Sequence, residues 1–195
     1  MTTEQMKEKL STMLTEHRYT HSIGVMETSE KMARIFGTDT EKALIAGLLH
    51  DCAKQIDRGE QLKMCEERGI EIDDIKKSAP SLVHADLGAS VAKTDFDVTD
   101  EDILSSIKYH TLGRKNMTVL EKILFLADII EPNRRDFEGL AELRSLCEMD
   151  LDEAMLFGLN LSIKNVERKG RILHTQTIEA RNYYENLLAT REENK

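Results

Sequence analysis

Residues 43–51 read ALIAGLLHD, an apolar run that ends in a histidine and an aspartate. Its leucines and isoleucine recur at helical spacing, and the lack of charge predicts a helix that is largely buried. Two ionisable side chains at the end of a buried run need polar partners. A metal ion satisfies both, because imidazole and carboxylate are good ligands for iron, manganese and zinc. The alternative is an interior histidine, His50, beside an ordinary helix-end aspartate, Asp51.

A second apolar segment, ILFLADIIEP at 123–132, surrounds Asp128 with aliphatic and aromatic neighbours. The pattern predicts a buried carboxylate, which needs a partner because an unpaired buried charge is costly or becomes protonated. A bound cation is one such partner, and an ion pair with an arginine such as Arg134 is the alternative. Further candidate ligands at predicted helix ends are His21, His84 and His110.

Helical periodicity also dominates the rest of the chain, and strand signals are poor. We therefore expect an all-α fold of about ten helices in a single domain, residues 1–195. The motif-bearing core covers about 18–135, and the helices of 150–190 are expected to pack on it. Helix starts are predicted where a capping side chain precedes a periodic run, at Thr2, Thr38, Thr99, Thr118, Asp150 and Thr177.

Composition narrows the partners and the compartment. The chain carries 27 Lys+Arg against 36 Asp+Glu, a net charge of −9, which disfavours duplex nucleic acid as a partner. We find neither a secretory signal nor an apolar run long enough to span a bilayer, so no membrane association is expected. Three cysteines without a CxxC motif argue against a disulfide framework, and a reducing cytoplasm fits them.

The order of the candidate ligands, His21, His50-Asp51, His84, His110 and Asp128, resembles the HD-domain phosphohydrolase superfamily. That superfamily has the signature H…HD…H…H…D on an all-α fold, and the match covers about residues 18–135. Longer segments are similar to the YqeK-type family of bacterial symmetrical diadenosine tetraphosphate hydrolases and extend the resemblance over nearly the whole chain. They are HRYTHSIGV, AGLLHDCAK, HADLGA, YHTLGR, LADIIEPNR and HTQTIEARN.

The resemblance implies a metal site. The ligands it implies for one ion are His21, His50, Asp51 and Asp128. Iron is the metal it suggests, and manganese is an alternative that the same ligands accept. His84 and His110 would either contact phosphate or bind a second ion. We favour one ion, because two neutral histidines without an added carboxylate make a weak second site.

The resemblance also implies the reaction, in which metal-assisted attack of water near the centre of the tetraphosphate releases two ADP. Lys54 follows Asp51 by three residues, so one helical turn would bring its ammonium beside the pair. The residues expected to carry catalysis are His50, Asp51, Lys54 and His84. The residues expected to bind the nucleotide substrate are Arg18, Lys54, His84, His110, Thr111, Arg134 and Arg181.

Two other functions remain open at this point. One is an HD phosphohydrolase that acts on other nucleotides or deoxynucleotides, because the same metal site serves them all. The other is a non-enzymatic nucleotide-binding module that keeps the metal for stability. The histidines beyond the first four ligands argue against the second, because a purely structural ion does not need them. A homodimer is compatible with the sequence.

Overall fold

Helices form the whole framework of the computed structural model, which describes residues 1–193. Over that range there are eleven α-helices, one 3₁₀ turn and no strand, which confirms the all-α prediction. The helices are α1 (Thr3–Met13), α2 (Glu16–Phe36), α3 (Thr40–Leu49), α4 (Arg58–Glu67), α5 (Asp74–Ser78), α6 (Val83–Asp95), α7 (Glu101–Tyr109), α8 (Val119–Ile130), α9 (Leu140–Leu146), α10 (Leu151–Arg168) and α11 (Thr175–Glu193); the 3₁₀ turn is Pro80–Leu82.

The apolar run of the opening motif is the centre of the molecule. Its helix, α3, contacts α2, α7 and α8, and those three are joined by further contacts of α2 and α7 with α8. Leu48 and Leu49 of α3 and Leu124 of α8 are completely buried there. Removing such side chains from water is the main source of stability, so the ends of these helices are held in fixed relative positions.

The closest approach in this centre is between α2 and α3. A Cβ added at Gly47 would lie 2.7 Å from Met26 Cα and 2.9 Å from Val25 O, closer than a methyl group and backbone can come. Only glycine lets the two backbones meet at this distance. Gly47 also accepts a hydrogen bond from the ring of His50, so the same contact sets the position of that histidine.

The two last helices extend the core. α10 packs on α8, and α11 packs on α10. Tyr184 of α11 is fully buried, and its hydroxyl accepts a hydrogen bond from the backbone N–H of Met117, 3.3 Å away. Through this bond α11 fixes the loop between α7 and α8. None of the helices within residues 1–193 has both the length and the apolar character that a bilayer crossing requires.

Some predicted helix starts are confirmed and others are wrong. Thr2 and Thr118 form complete capping boxes, and Asp150 caps α10. Thr38 and Thr99 are not caps. Asp39 and Asp100 take that role, each with a carboxylate oxygen that accepts two backbone N–H groups. A carboxylate one residue closer to the helix displaced the hydroxyl in both places.

The last helix and two short ones also differ from the sequence prediction. α11 begins at Thr175 rather than at Thr177, which is already buried inside its first turn. α5 and α9 were not identified individually, although the total of eleven helices within residues 1–193 agrees with the expected number of about ten. Helices of five and seven residues complete fewer than two turns or barely two, which is too short for a recurring apolar pattern to appear.

We expect Gly47→Ala to lower the free energy of unfolding by ~1–3 kcal/mol, because the methyl group forces α3 away from α2. Urea unfolding followed by circular dichroism measures it. Gly88→Ala is the matched control, since it is also helical and its added Cβ would meet Ile107 Cγ2 at 3.4 Å, an ordinary contact. Equal stability of the two variants would contradict the close approach.

Candidate active site

Four ionisable side chains from three helices meet at one point in the core. His50 is the C-cap of α3 and Asp51 follows it, while Asp128 lies in the last turn of α8. His21 lies in the second turn of α2, which begins at Glu16 and not at His21 as predicted. His21, His50 and Asp51 are almost completely buried. Asp128 is less enclosed than expected, with 24% of its side chain exposed.

The ligand atoms of this first group lie at the spacing that an ion requires. The Nε2 atoms of His21 and His50 are 3.3 Å apart. His21 Nε2 is 3.0 Å from Asp128 Oδ1, and His50 Nε2 is 3.5 Å from Asp51 Oδ2. Ligands held about 2.1 Å from an ion in tetrahedral geometry are roughly 3.4 Å apart. The group therefore has the dimensions of a metal site.

The hydrogen bonds of the two rings decide which nitrogen carries the proton. Nδ1 of His21 is 3.1 Å from Glu131 Oε1, and Nδ1 of His50 is 2.8 Å from the carbonyl oxygen of Gly47. Because each partner can only accept, each Nδ1 donates a proton. In the neutral rings both Nε2 atoms then carry lone pairs, and these face each other and two carboxylates. Only a cation can satisfy such an arrangement, so the residues fit a metal ion.

His84 and His110 form a second pair with the same construction. His84 lies in the first turn of α6 and His110 is the C-cap of α7, and their Nε2 atoms are 3.2 Å apart. Their Nδ1 atoms donate to the carbonyl oxygens of Ser81 and Ile107, at 2.7 Å and 2.6 Å. Two more lone pairs therefore face each other beside the first group.

Asp51 lies between the two histidine pairs. Its Oδ2 faces the first pair, whereas its Oδ1 lies 3.2 Å from His84 Nε2 and 3.7 Å from His110 Nε2. Oδ1 is buried and has no partner in hydrogen-bond geometry within residues 1–193. His84 Nε2 and Oδ1 are both acceptors in the neutral state, so their short contact is not a hydrogen bond. A buried carboxylate oxygen without a hydrogen bond is costly, and a cation between Oδ1 and the second pair would reduce that cost.

Three cationic side chains surround the carboxylates. Arg18 Nη1 donates to Asp51 Oδ2 at 2.8 Å, and Arg134 Nη2 donates to Asp128 Oδ1 at 2.5 Å. Lys54 Nζ is 3.5 Å from Asp51 Oδ1, as its spacing predicted, and donates to His84 Nε2 at 2.8 Å. The ion pair of Asp128 with an arginine, considered as an alternative to metal binding, therefore coexists with the contact to His21.

The protonation states suit ligands at neutral pH. Burial, assisted by the charge of Lys54, lowers the pKa of His84 to about 4, so its ring is neutral. Burial alone would raise the pKa of Asp128, but the bond to His21 and the charges of His50 and Arg134 hold it well below its usual range.

The remaining expected substrate residues differ in position. Thr111 is at the centre, with its Oγ1 3.1 Å from His110 Nε2 and 3.4 Å from His84 Nε2. Arg181 lies on α11, where its guanidinium donates to Glu185 one turn further along. Its role in substrate binding stays a prediction.

Glu131 is a residue that the sequence reasoning missed. It is 2% exposed, accepts from His21 Nδ1 and also accepts from the backbone N–H of Asn133 at 2.7 Å. A Cβ at Gly24 would lie 2.4 Å from Glu131 Oε2, so glycine there makes room for the carboxylate. A glutamate at the negative C-terminal end of α8 is unfavourable on its own. This unfavourable position of a glutamate, within the segment LADIIEPNR, is a sequence signal from which a specific partner for Glu131 could have been inferred.

Comparisons with known proteins agree with this geometry. A family model of the HD domain matches residues 18–133. The chain is 43% identical over 165 residues to "Bis(5'-nucleosyl)-tetraphosphatase, symmetrical" of Bacillus subtilis (strain 168). This alignment covers 85% of this chain and 86% of the relative. A protein of the same name from Halalkalibacterium halodurans is 41% identical over 165 residues, with 85% of this chain and 87% of the relative covered.

A solved structure shows the same fold. It is the crystal structure of a protein from Clostridium acetobutylicum, described as a "predicted HD superfamily hydrolase involved in NAD metabolism". The two structures superpose with a TM-score of 0.91 at 43% sequence identity, over 95% of this chain and 98% of the other.

We expect His50→Ala and Asp51→Ala each to remove most bound metal while the helical circular dichroism signal is retained, because each change deletes a ligand at the centre of the group. Elemental analysis after loading with Mn²⁺ and gel filtration measures metal per chain. His17→Ala is the control, since it removes an exposed histidine. Full metal content in either ligand variant would refute the metal assignment.

Glu131→Gln is expected to weaken Mn²⁺ binding by roughly 10–100-fold, because a carboxylate that holds a ligating imidazole also raises its basicity. Glutamine keeps the size and an acceptor oxygen but loses the charge. Titration calorimetry compares the variant with wild type and with Glu138→Gln, which changes an exposed glutamate in the following loop. An unchanged affinity would show that Glu131 serves only the fold.

Proposed function

The chain belongs to the HD domain family, and from that membership we propose that it cleaves dinucleoside tetraphosphates symmetrically, converting diadenosine tetraphosphate into two ADP. Relatives 41% and 43% identical over 85% of the chain carry the name of that hydrolase. One observation carries the proposal beyond the names. The histidines and aspartates of the family pattern converge at one centre, in overlapping groups of three whose candidate ligand atoms lie within 4.8 Å of one another.

The first ion would be held by His21, His50, Asp51 Oδ2 and Asp128. A divalent transition metal in this position supplies Lewis acidity, which activates water at neutral pH and offsets charge on phosphoryl oxygens. Iron is the metal we propose, with manganese as the alternative, because imidazole and carboxylate ligands suit both. Glu131 orients the His21 ring and Gly47 O orients the His50 ring, so both Nε2 atoms are presented without a proton.

We further propose a second ion held by His84, His110 and Asp51 Oδ1. The sequence argued against a second ion because two neutral histidines without an added carboxylate make a weak metal site. Asp51 supplies one, because its two oxygens face different histidine pairs. The ammonium of Lys54 donates to His84 Nε2, so this nitrogen carries a lone pair. For His84 and His110 we therefore favour binding of a second ion over contact with phosphate.

The proposed reaction is the hydrolysis of the central phosphoanhydride bond. Water adds to one of the two central phosphorus atoms, and the bridging oxygen leaves as a terminal oxygen of the second ADP. Lys54 is 31% exposed and Arg18 is 24% exposed, so both side chains reach the open face of the centre. We assign them to the phosphoryl oxygens, where fixed cations stabilise the charge that develops. We assign the Thr111 hydroxyl, 3.1 Å from His110 Nε2, to donate to the same phosphates.

Two alternative functions can be separated from this proposal. Hydrolysis of other nucleotides or deoxynucleotides uses the same centre and differs only in the product pattern. A non-enzymatic nucleotide-binding module would bind nucleotide without turnover. The second histidine pair weighs against the module, because a purely stabilising ion needs one set of ligands and not two.

Compartment and assembly belong to the same proposal. All three cysteines of the chain are buried free thiols, which accords with a reducing cytoplasm. The partner we propose is a small nucleotide, and the acidic net charge of −9 disfavours duplex nucleic acid. A homodimer stays a prediction.

Incubation with diadenosine tetraphosphate and Mn²⁺ should give ADP as the sole nucleotide product at early times, because symmetric attack divides the phosphates equally. Ion-exchange chromatography of a time course distinguishes this from the ATP and AMP of asymmetric cleavage. Parallel incubations with deoxynucleoside triphosphates and cyclic dinucleotides test the broader family activities. Equal amounts of ATP and AMP, or turnover of deoxynucleotides alone, would overturn the proposal.

Metal stoichiometry tests the second ion. Wild type loaded with Mn²⁺ is expected to hold about two ions per chain, and His84→Ala and His110→Ala about one, since each loses a ligand of the second site. His17→Ala is the control, because it removes an exposed histidine that belongs to neither histidine pair. One ion in all four proteins, with activity lost only at His84 and His110, would instead support the phosphate-contacting role.

A further inference from the structure

A cavity of about 200 Å³ opens next to the second histidine pair, between the turn after α7 and the helices α10 and α11. Thr111 lines it, and the hydroxyl of Thr111 is 3.1 Å from His110 Nε2. Half of its ten lining residues are apolar, namely Leu82, Leu112, Val166, Ile172 and Leu173, and the other half are polar. The cavity therefore begins at the proposed catalytic centre and leads away from it along an apolar wall, and we call it the apolar cavity.

The walls of this cavity are fixed by hydrogen bonds. Thr177 Oγ1 donates to Leu112 O at 3.1 Å. His174 accepts from the backbone N–H of Gln176 on Nδ1, so its Nε2 carries the proton that it donates to Asp73 Oδ2 at 3.0 Å. These bonds join the start of α11 to the loop after α7 and to α5. A preformed space loses little freedom when a ligand enters, which favours binding.

A second cavity, of about 310 Å³, lies on the other side of the 3₁₀ turn Pro80–Leu82. Ser81 lines this cavity, whereas the next residue, Leu82, lines the first. Its other walls include Lys54, Arg58, His84 and Asp57, so it is polar and carries two cations and one carboxylate. The two cavities meet the centre from opposite sides of one turn and differ in chemistry.

We propose that the apolar cavity binds one nucleobase of the dinucleotide substrate, while the polyphosphate runs past Thr111 and His84 toward Lys54 and Arg58. This inference rests on the proposed function, because it takes the centre as the point of cleavage. A base presents two apolar ring faces, and the space is several times the roughly 30 Å³ that one water occupies in the liquid. Ile172, with 53% of its surface exposed at the rim, gains cover when the base is bound.

The test separates base binding from phosphate binding. Leu173→Trp fills the cavity, so the affinity for ADP should fall on the order of tenfold through lost apolar contact, while the affinity for inorganic pyrophosphate stays the same. Titration calorimetry with Mn²⁺-loaded protein measures both ligands. Met149→Trp is the matched control, because Met149 is 74% exposed and lies outside the cavity lining.

Leu173→Ala guards against misfolding of the tryptophan variant, since it enlarges the cavity without a clash and should also weaken ADP alone. Unchanged ADP affinity in the variants, or an equal loss for ADP and pyrophosphate, overturns the inference. The outcome is independent of the proposed reaction. Wild type that binds ADP through this cavity yet leaves diadenosine tetraphosphate intact would refute the proposed function and keep the base site.

Discussion

The rest of the structure depends on one constraint: four imidazole nitrogens carry no proton and face one another in two pairs. Each ring uses Nδ1 to donate to a carboxylate or a backbone carbonyl, and therefore turns a lone pair toward the centre. The two Nε2–Nε2 distances are 3.3 Å and 3.2 Å, with Asp51 between the pairs. Such a group is stable only around positive charge, which metal ions provide when bound and protons or Lys54 provide otherwise.

The packing of the helices prevents the four histidine rings from moving apart. Gly47 brings α3 against α2, which fixes His50 opposite His21. At the end of α8, Arg144 donates to the carbonyl oxygens of Ile130 and Glu131, and Arg134 donates to that of Asp128. These bonds cap the helix and oppose its negative terminus. The same rigidity that costs stability in the metal-free chain keeps the ligands ready for an ion.

Sequence reasoning went far with features that are local along the chain. The apolar runs identified α3 and α8 as core helices and marked His50, Asp51 and Asp128 as candidate ligands, and the resemblance to HD domains joined them into one set. It failed where partners are distant: Glu131 meets His21 across 110 positions, and the sharing of Asp51 between two histidine pairs depends on backbone placement. The short helices α5 and α9 were missed because two turns or fewer leave no periodic pattern. The caps at Asp39 and Asp100 were missed because a threonine directly precedes each aspartate and is an equally good capping residue by type.

Thermal unfolding of chelator-stripped protein, with and without added Mn²⁺, tests the central claim most directly. Mn²⁺ at a hundred times its dissociation constant should add about 2.7 kcal/mol of stability, which for a chain of this size raises the unfolding midpoint by roughly 5–10 °C. The rise should shrink as the pH is lowered, because protons compete with the ion for the ligand lone pairs. An unfolding midpoint that is the same with and without Mn²⁺ at neutral pH would contradict the account.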